Sequence, residues 1–354
     1  MTLANTSLAF TVVDDLNIED PAQLLRYLRQ NDRIDASDKP RFTTLTGGVS
    51  NRSVWVQFDH KPDWVMKQAL AKLRVQVDWF SAPARVQREA AGLSCLGEII
   101  AGHVPELVFL DDRHHILAMS AIPHPHDNWK TLLLEGETCI RLARDFGRLL
   151  ARIHNAALDH PRIESAFADV RFFEELRLEP YYGYTAAQVP RARDFLENLI
   201  QDTRKRRFAL VHGDYSPKNV LINQGKLVIL DFEVIHFGDP AFDIGFSMTH
   251  FLSKAHFLRA NRPRFIEMAA EYWRAYSADL DAALAKRMGS SAVAHTLACL
   301  LARVAGRSPL EYLDDDHRSR QKMIVLELIG REIGAIPQLI DSFRECLDRH
   351  DEPD

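Results

Sequence analysis

The chain has 354 residues, of which 46% are apolar and 26% charged, and carries a formal net charge of −5. That length exceeds what one compact core usually holds, so two lobes are expected. The charge balance offers no general basic surface to nucleic acid or to an anionic membrane, although a local basic pocket for phosphate stays compatible with it. Cys95, Cys139, Cys299 and Cys346 stand without a CxxC pair or metal-ligand spacing, as expected of idle thiols in a reducing compartment. The opening MTLANTSLAFTVVDDLN has no basic n-region. No apolar run approaches the roughly 18–20 residues that span a bilayer. A cytoplasmic protein is the expectation.

In chain order, a helix is predicted to open at Asp20 as N-cap with Pro21 in its first position, presenting Leu24, Leu25 and Leu28 on one face. Short strands follow at Phe42–Thr46, Ser53–Phe58 and Trp64–Ala69. In the second, Val54, Val56 and Phe58 alternate to one side. A helix over Pro83–Ile100 carries Val86, Ala90, Leu93 and Leu96 at helical spacing. Strands at Glu106–Leu110 and His115–Met119 complete five antiparallel strands with one inserted helix. Residues 120–128, SAIPHPHDN, read as a hinge, with His124 and His126, like His114 and His115 before them, as turn and linker residues. The expected organisation is a sheet-containing lobe over 1–119, the hinge, and a mainly helical lobe over 129–354. Within that second lobe, helices are predicted over Glu137–Asn155, Arg191–Lys205, Asp243–Ser253 and Arg318–Gly334, interrupted by β structure at Phe208–Phe232.

Chemistry concentrates in Leu210–Gly245, LVHGDYSPKNVLINQGKLVILDFEVIHFGDPAFDIG. An apolar strand delivers His212, Gly213 and Asp214 to a loop ending at Asn219, and a tight hairpin then delivers Asp231. Phosphoryl transfer needs one carboxylate to orient and deprotonate a hydroxyl, and further oxygen ligands to hold Mg²⁺ against phosphates. Asp214 suits the first role; Asn219 and Asp231 suit the second. Lys218 is placed to neutralise the transferred group, or else is a solvated loop lysine.

HGDxxxxN followed by a strand-borne DxE resembles the superfamily of aminoglycoside phosphotransferases, choline kinases and methylthioribose kinases, which shares the protein-kinase fold. The resemblance implies an α+β bilobal protein, using ATP and Mg²⁺ to phosphorylate a hydroxyl of a small molecule. It also implies that Gly47, Gly48, Val49, Ser50 and Asn51 form a lid over phosphates, where glycine lets backbone N–H groups approach. Lys67 would reach the phosphates, steadied by Glu89, and Ser120, Ala121 and Ile122 would offer backbone groups to adenine. His212 would brace the catalytic loop, and Asp243 would hydrogen-bond its backbone. Glu233, where protein kinases carry glycine, would complete the metal shell or position the acceptor.

The texture is closer to the methylthioribose kinase branch, through Val65–Leu70, the insert with Trp79, and Phe242–Gly245. It departs from that branch at Asn219, which the branch's catalytic loop does not keep. For the acceptor, Arg303 and Arg307 are either anion ligands or surface arginines. Asp314, Asp315 and Asp316 are either ligands for a polycationic aminoglycoside or a solvated loop. A sugar or sugar-like metabolite is the expectation. Three readings compete: an aminoglycoside-type antibiotic phosphotransferase, a non-catalytic pseudokinase, against which Lys67, Asp214, Asn219 and Asp231 all stand, and nucleotidyl instead of phosphoryl transfer.

Overall fold

The computed structural model describes residues 16–46, 48–75, 78–158 and 160–351. Helix α1 (Pro21–Gln30) begins as its sequence dictates: the Asp20 carboxylate accepts from the amides of Ala22 and Gln23, two donors that the first helical turn leaves unpaired. Five antiparallel strands follow, β1 (Arg41–Thr44), β2 (Asn51–Gln57), β3 (Trp64–Ala69), β4 (Leu107–Asp111) and β5 (Ile116–Ser120), in the order β1-β2-β3-β5-β4. Helix α2 (Arg85–Ile99) is inserted after β3.

Alternation along the strands assigns the two faces of this sheet. Val54, Val56, Met66, Ile116 and Ala118 pack with Leu24, Tyr27 and Leu28 of α1 into one buried cluster. Leu117 and Met119 belong to the larger core on the other side, together with Val86, Ala90, Leu93 and Leu96 of α2. Lys67 lies between Met66 and Gln68, opposite Ser53 on one neighbour and Leu117 on the other. The period of two therefore sends the lysine away from α1 and towards α2.

The segment read as a hinge is only partly one. Its last residues form β6 (His126–Asn128), which pairs with β8 (Val220–Asn223) of the second lobe. Strand β8 in turn pairs with β9 (Lys226–Ile229). After α3 (Trp129–Leu134), the lobe is mainly helical: α4 (Ile140–Ala156), short α5 (Pro161–Ala166), α6 (Arg171–Phe173) and α7 (Tyr184–Gln188), then α8 (Arg193–Lys205). Between α6 and α7 the chain runs as a wide π-type helix, Glu174–Gly183, which contains Pro180. Strands β7 (Ala209–Val211) and β10 (His236–Gly238) pair across the segment that carries Asp214 and Asp231. Helices α9 (Ala241–Phe257), α10 (Arg262–Asp279), α11 (Ala282–Met288), α12 (Ser291–Ala305), α13 (Asp315–Ile329) and α14 (Ile336–Arg349) complete the chain.

The acidic run 314–316 is not a loop waiting for a cation. Asp314 caps α13 by accepting from the His317 amide, and Asp315 and Asp316 occupy its first turn, where carboxylates are favoured by the helix dipole. Trp79 of the insert is buried, and its indole donates to the Glu175 carbonyl at 3.0 Å, strapping the first lobe to the second. No single described helix is long and apolar enough to cross a membrane.

Candidate active site

Three charged groups meet where β3, α2 and β9 converge. Lys67 Nζ lies 2.6 Å from Glu89 Oε1 and 3.1 Å from Asp231 Oδ1. Burial works against the ammonium, but the two carboxylates outweigh it and raise its pKa above the ordinary lysine value. Burial works in the same way against the Asp231 carboxylate, and Lys67 and Lys218 reverse it, so Asp231 is held below the usual range. The pairing of Lys67 with Glu89 is the one the resemblance implies. Asp231 sits at φ 70°, a left-handed backbone that aspartate tolerates better than most residues.

The loop between β7 and β8 is built around Asp214. Its Oδ2 accepts from Asn219 Nδ2 at 2.7 Å and pairs with Arg177 Nη2 at 2.7 Å. Among the described residues Oδ1 has no partner. Because the Asn219 amide nitrogen is turned to Asp214, its carbonyl oxygen is the end left for a cation. Arg177 also donates to the Gly213 carbonyl at 3.0 Å, so one guanidinium fixes both the loop and its carboxylate. Gly213 has φ 78°, and a Cβ there would stand 3.0 Å from the Val234 carbonyl, so the turn before Asp214 requires glycine. Arg177 was not legible in the sequence. Its place depends on the π-type turn, a feature often found at functional sites, and EELRLEPYYG carries no motif.

Asp243 at the start of α9 holds this loop from behind. Its carboxylate accepts from the amides of His212 at 2.7 Å and Gly213 at 2.8 Å, and contacts His154 Nε2 at 3.2 Å. His212 Nδ1 in turn accepts from the Asp214 amide at 3.2 Å, and burial lowers the imidazole's pKa. Burial acts to raise the Asp243 pKa, but His154, His212 and the loop amide together lower it. A depressed carboxylate stabilises the fold above its unfolded pKa and ceases to do so as pH falls through the folded value. Asp243→Ala should therefore cost about 3–5 kcal/mol, because His154 and two buried amides lose their partner. The loss relative to wild type should be full near neutral pH and shrink as pH falls below about 4. Urea unfolding at the two pH values measures it, and a constant difference would refute the role.

Glu233 is the carboxylate expected to complete the metal shell or to position the acceptor. It is buried, with Oε2 3.0 Å from Arg85 Nε and accepting from Asn51 Nδ2 at 3.3 Å. Arg85, fully buried, also donates to the carbonyls of Ser50, Leu70 and Ser81. This arginine bolts the turn before β2 and the strapping insert onto the DxE segment, so the Asn51 and Glu233 side chains serve that joint. Gly47 lies outside the described residues.

Lys67, Asn219 and Asp231 open onto a cleft of about 990 Å³. Gly48, Val65, Lys67, Met119, Ser120, Ala121, Ile122, Leu221 and Leu230 form one part, and Lys130, Lys218, Asn219 and Asp231 another. The amides of Ser120 and Ala121 are already spent on the carbonyls of Glu106 and Asp63, which leaves the Ile122 amide as the free donor at this edge among the described residues. Arg303 is not a surface residue: it is buried and donates to the Tyr181 hydroxyl at 3.0 Å and to Ser308 Oγ at 2.9 Å. Arg307 is drawn elsewhere, 3.4 Å from Glu179 and from the Asp78 carbonyl, tying down the strap.

A five-stranded antiparallel sheet with one inserted helix, joined to a helical lobe whose β-hairpin carries an Asp–Asn–Asp set, defines a protein-kinase-like phosphotransferase fold. The chain belongs to the phosphotransferase enzyme family named for the aminoglycoside phosphotransferases, whose model matches residues 41–286. It is 23% identical over 262 residues to methylthioribose kinase 1 of Oryza sativa subsp. japonica, covering 64% of this chain and 60% of that protein. It is 28% identical over 215 residues to a methylthioribose kinase of Erwinia tasmaniensis, covering 53% of each. The chain thus spans a little over half the length of these relatives. In fold it is similar to an amicoumacin kinase solved with AMP-PNP, Ca²⁺ and Ami, with TM-score 0.57, 14% identity, and 89% and 96% of the two chains covered. A choline kinase from Cryptosporidium parvum superposes with TM-score 0.54 and 11% identity, over 92% and 100% of the chains.

Proposed function

We propose that the protein is an ATP- and Mg²⁺-dependent kinase that phosphorylates a hydroxyl of a small molecule, a sugar or sugar-like metabolite. The observation that carries this reading is the convergence of Lys67, Asn219 and Asp231 on one cleft, with Asp214 held against Asn219 at 2.7 Å. The donor set suits the metal. Asn219 Oδ1 and the Asp231 carboxylate are hard oxygen ligands, and Mg²⁺ is ordinarily held by one or two carboxylates plus phosphate oxygens. When bound, MgATP supplies the phosphoryl group and the cation that spreads its charge.

Each residue of the chain then has a defined task. Val65, Met119 and Leu230 enclose the base, and the Ile122 amide donates to a ring nitrogen. Lys67, kept charged by Glu89 and Asp231, binds phosphate oxygens. Asp214 Oδ1 orients the acceptor hydroxyl and takes its proton, while Arg177 and Asn219 prevent the carboxylate from turning. Lys218 stands beside Asn219 to neutralise charge on the transferred group. Glu89, Glu233, Asp243 and His212 maintain this geometry without touching the reacting atoms.

Arg177 is a positioning residue. Arg177→Met should lower kcat by about 10- to 100-fold, because misplacement of a reacting group by an ångström costs that order, with the KM for ATP unchanged. An equal rise in the KM for ATP would show a general structural defect instead.

The reading is tested by thermal unfolding with AMP-PNP and Mg²⁺, separately and together, and then with ribose, glucose, methylthioribose and streptomycin added. A ligand at 100 times its Kd adds about 2.7 kcal/mol of stability. A shift that needs both nucleotide and Mg²⁺, with ADP formed from ATP in the presence of an acceptor, supports the kinase. AMP attached to the product would indicate nucleotidyl transfer, and the absence of any nucleotide-dependent shift would defeat the proposal.

A further inference from the structure

Helix α9 carries Asp243 in its first turn, behind the Asp214 loop, and runs away from it, and a line of basic and aromatic groups follows the helix. The Arg177 guanidinium, which grips Asp214, lies 5.9 Å from the rings of both Tyr181 and Phe246. The Tyr181 hydroxyl accepts from Arg303, and Phe246 packs 5.6 Å from His250. One turn further, Lys254 is fully buried. Its only hydrogen bond among the described residues is a long one, 3.5 Å to the His250 carbonyl, and its ammonium stands 5.2 Å from the Tyr312 ring.

An ammonium buried without a carboxylate is among the costliest groups a fold can carry. The surroundings deepen the cost. Burial first, and then Lys130 and Arg303, pull Lys254 down to about 7, with Glu311 as the opposing charge. The charges that bear most on His250 are all positive: Lys254, Arg303, Lys130 and Lys218. Polar atoms here lack partners as well. Arg303 Nε and the Tyr312 hydroxyl are buried without a hydrogen bond among the described residues. Lys130, which lines the cleft beside Lys218 and Asn219, pairs with Glu311.

From this arrangement we infer that the acceptor carries an anionic group, a carboxylate or phosphate, bound by Lys254, Arg303 and Tyr312 with Lys130 at the entrance. The inference rests on the kinase reading, with Asp214 at the acceptor hydroxyl. Glu311 is the chain's own carboxylate at this entrance and yields Lys130 to the incoming anion. The rise of a helix places Lys254 about 12 Å along α9 from Phe246, the residue whose ring meets Arg177. A polycationic aminoglycoside meets repulsion here, and an uncharged sugar leaves Lys254 without a partner.

The test compares ribose 5-phosphate, glucose 6-phosphate and gluconate with ribose, glucose, methylthioribose and streptomycin, following ADP release from MgATP. The acids should have kcat/KM at least about tenfold above their uncharged counterparts, the worth of one charge-assisted contact. Lys254→Met, which exchanges a buried charge for an apolar chain of similar size, should fold normally. It should raise the KM for the acid about tenfold or more with the KM for ATP unchanged, and Glu311→Gln should lower that KM. Preference for uncharged or cationic acceptors with MgATP binding intact overturns this inference and leaves the kinase standing. If MgATP does not bind, the kinase reading fails. The anion site is then judged by whether the same acids raise the melting temperature of wild type but not of Lys254→Met, and no such difference overturns it.

Discussion

Asp214→Asn is expected to lower kcat by about 10²–10⁴, the usual contribution of a positioned general base, with the KM for ATP near that of wild type. The melting temperature should be lowered, because the buried Arg177 loses its opposite charge. The geometry makes this a conservative substitution. Arg177 and Asn219 both bind Oδ2, so an asparagine placing its carbonyl oxygen there keeps both contacts and puts an amide nitrogen where the proton must go. The variant thus removes basicity without removing shape. Steady-state kinetics with MgATP and a turned-over acceptor measures the effect. Turnover within about threefold of wild type would show that proton removal is not the task of Asp214.

The second large effect is expected at Asp231. Asp231→Asn removes the charge that faces Lys67 at 3.1 Å and weakens the oxygen set offered to the cation. Loss of such a preorganised electrostatic group costs about 10²–10³ in kcat, and the Mg²⁺ concentration for half-maximal activity should rise in parallel. Lys67 keeps Glu89 at 2.6 Å, so the fold should survive, and circular dichroism and thermal unfolding check that. An unchanged Mg²⁺ titration would remove Asp231 from the metal site, whereas a lowered melting temperature alone would assign it a structural role.

Elements whose determinants are local are legible in the amino-acid order. Asp20 and Pro21 mark the start of α1 because a carboxylate can cap the amides two and three residues on. The alternation of Val54 and Val56 marks β2 because side chains on a strand change face at every residue. The Lys67–Glu89 pair was legible only through the family resemblance, since β3 ends at Ala69 and α2 begins at Arg85. Element ends are less legible: α9 runs four residues past the expected Ser253 to Phe257, and β6 lies inside the expected hinge, because its pairing partner β8 is far away in the chain.

What the sequence by itself determined is the class of chemistry. HGDxxxxN and the strand-borne DFE carry the resemblance to a phosphotransferase family, whose model matches residues 41–286. Only the tertiary structure decided which residues hold them. Arg177 reaches Asp214 from a π-type turn 37 residues upstream of the aspartate, and Arg85 joins Glu233 from 148 residues away. Packing also reassigned residues whose composition was ambiguous, burying Arg303, spending Arg307 on the strap, and turning the 314–316 acids into a helix start. The reason is general. A buried charge takes its meaning from what surrounds it, and for Lys254, Arg303 and Asp214 those surroundings are assembled from segments that meet only when the chain is folded.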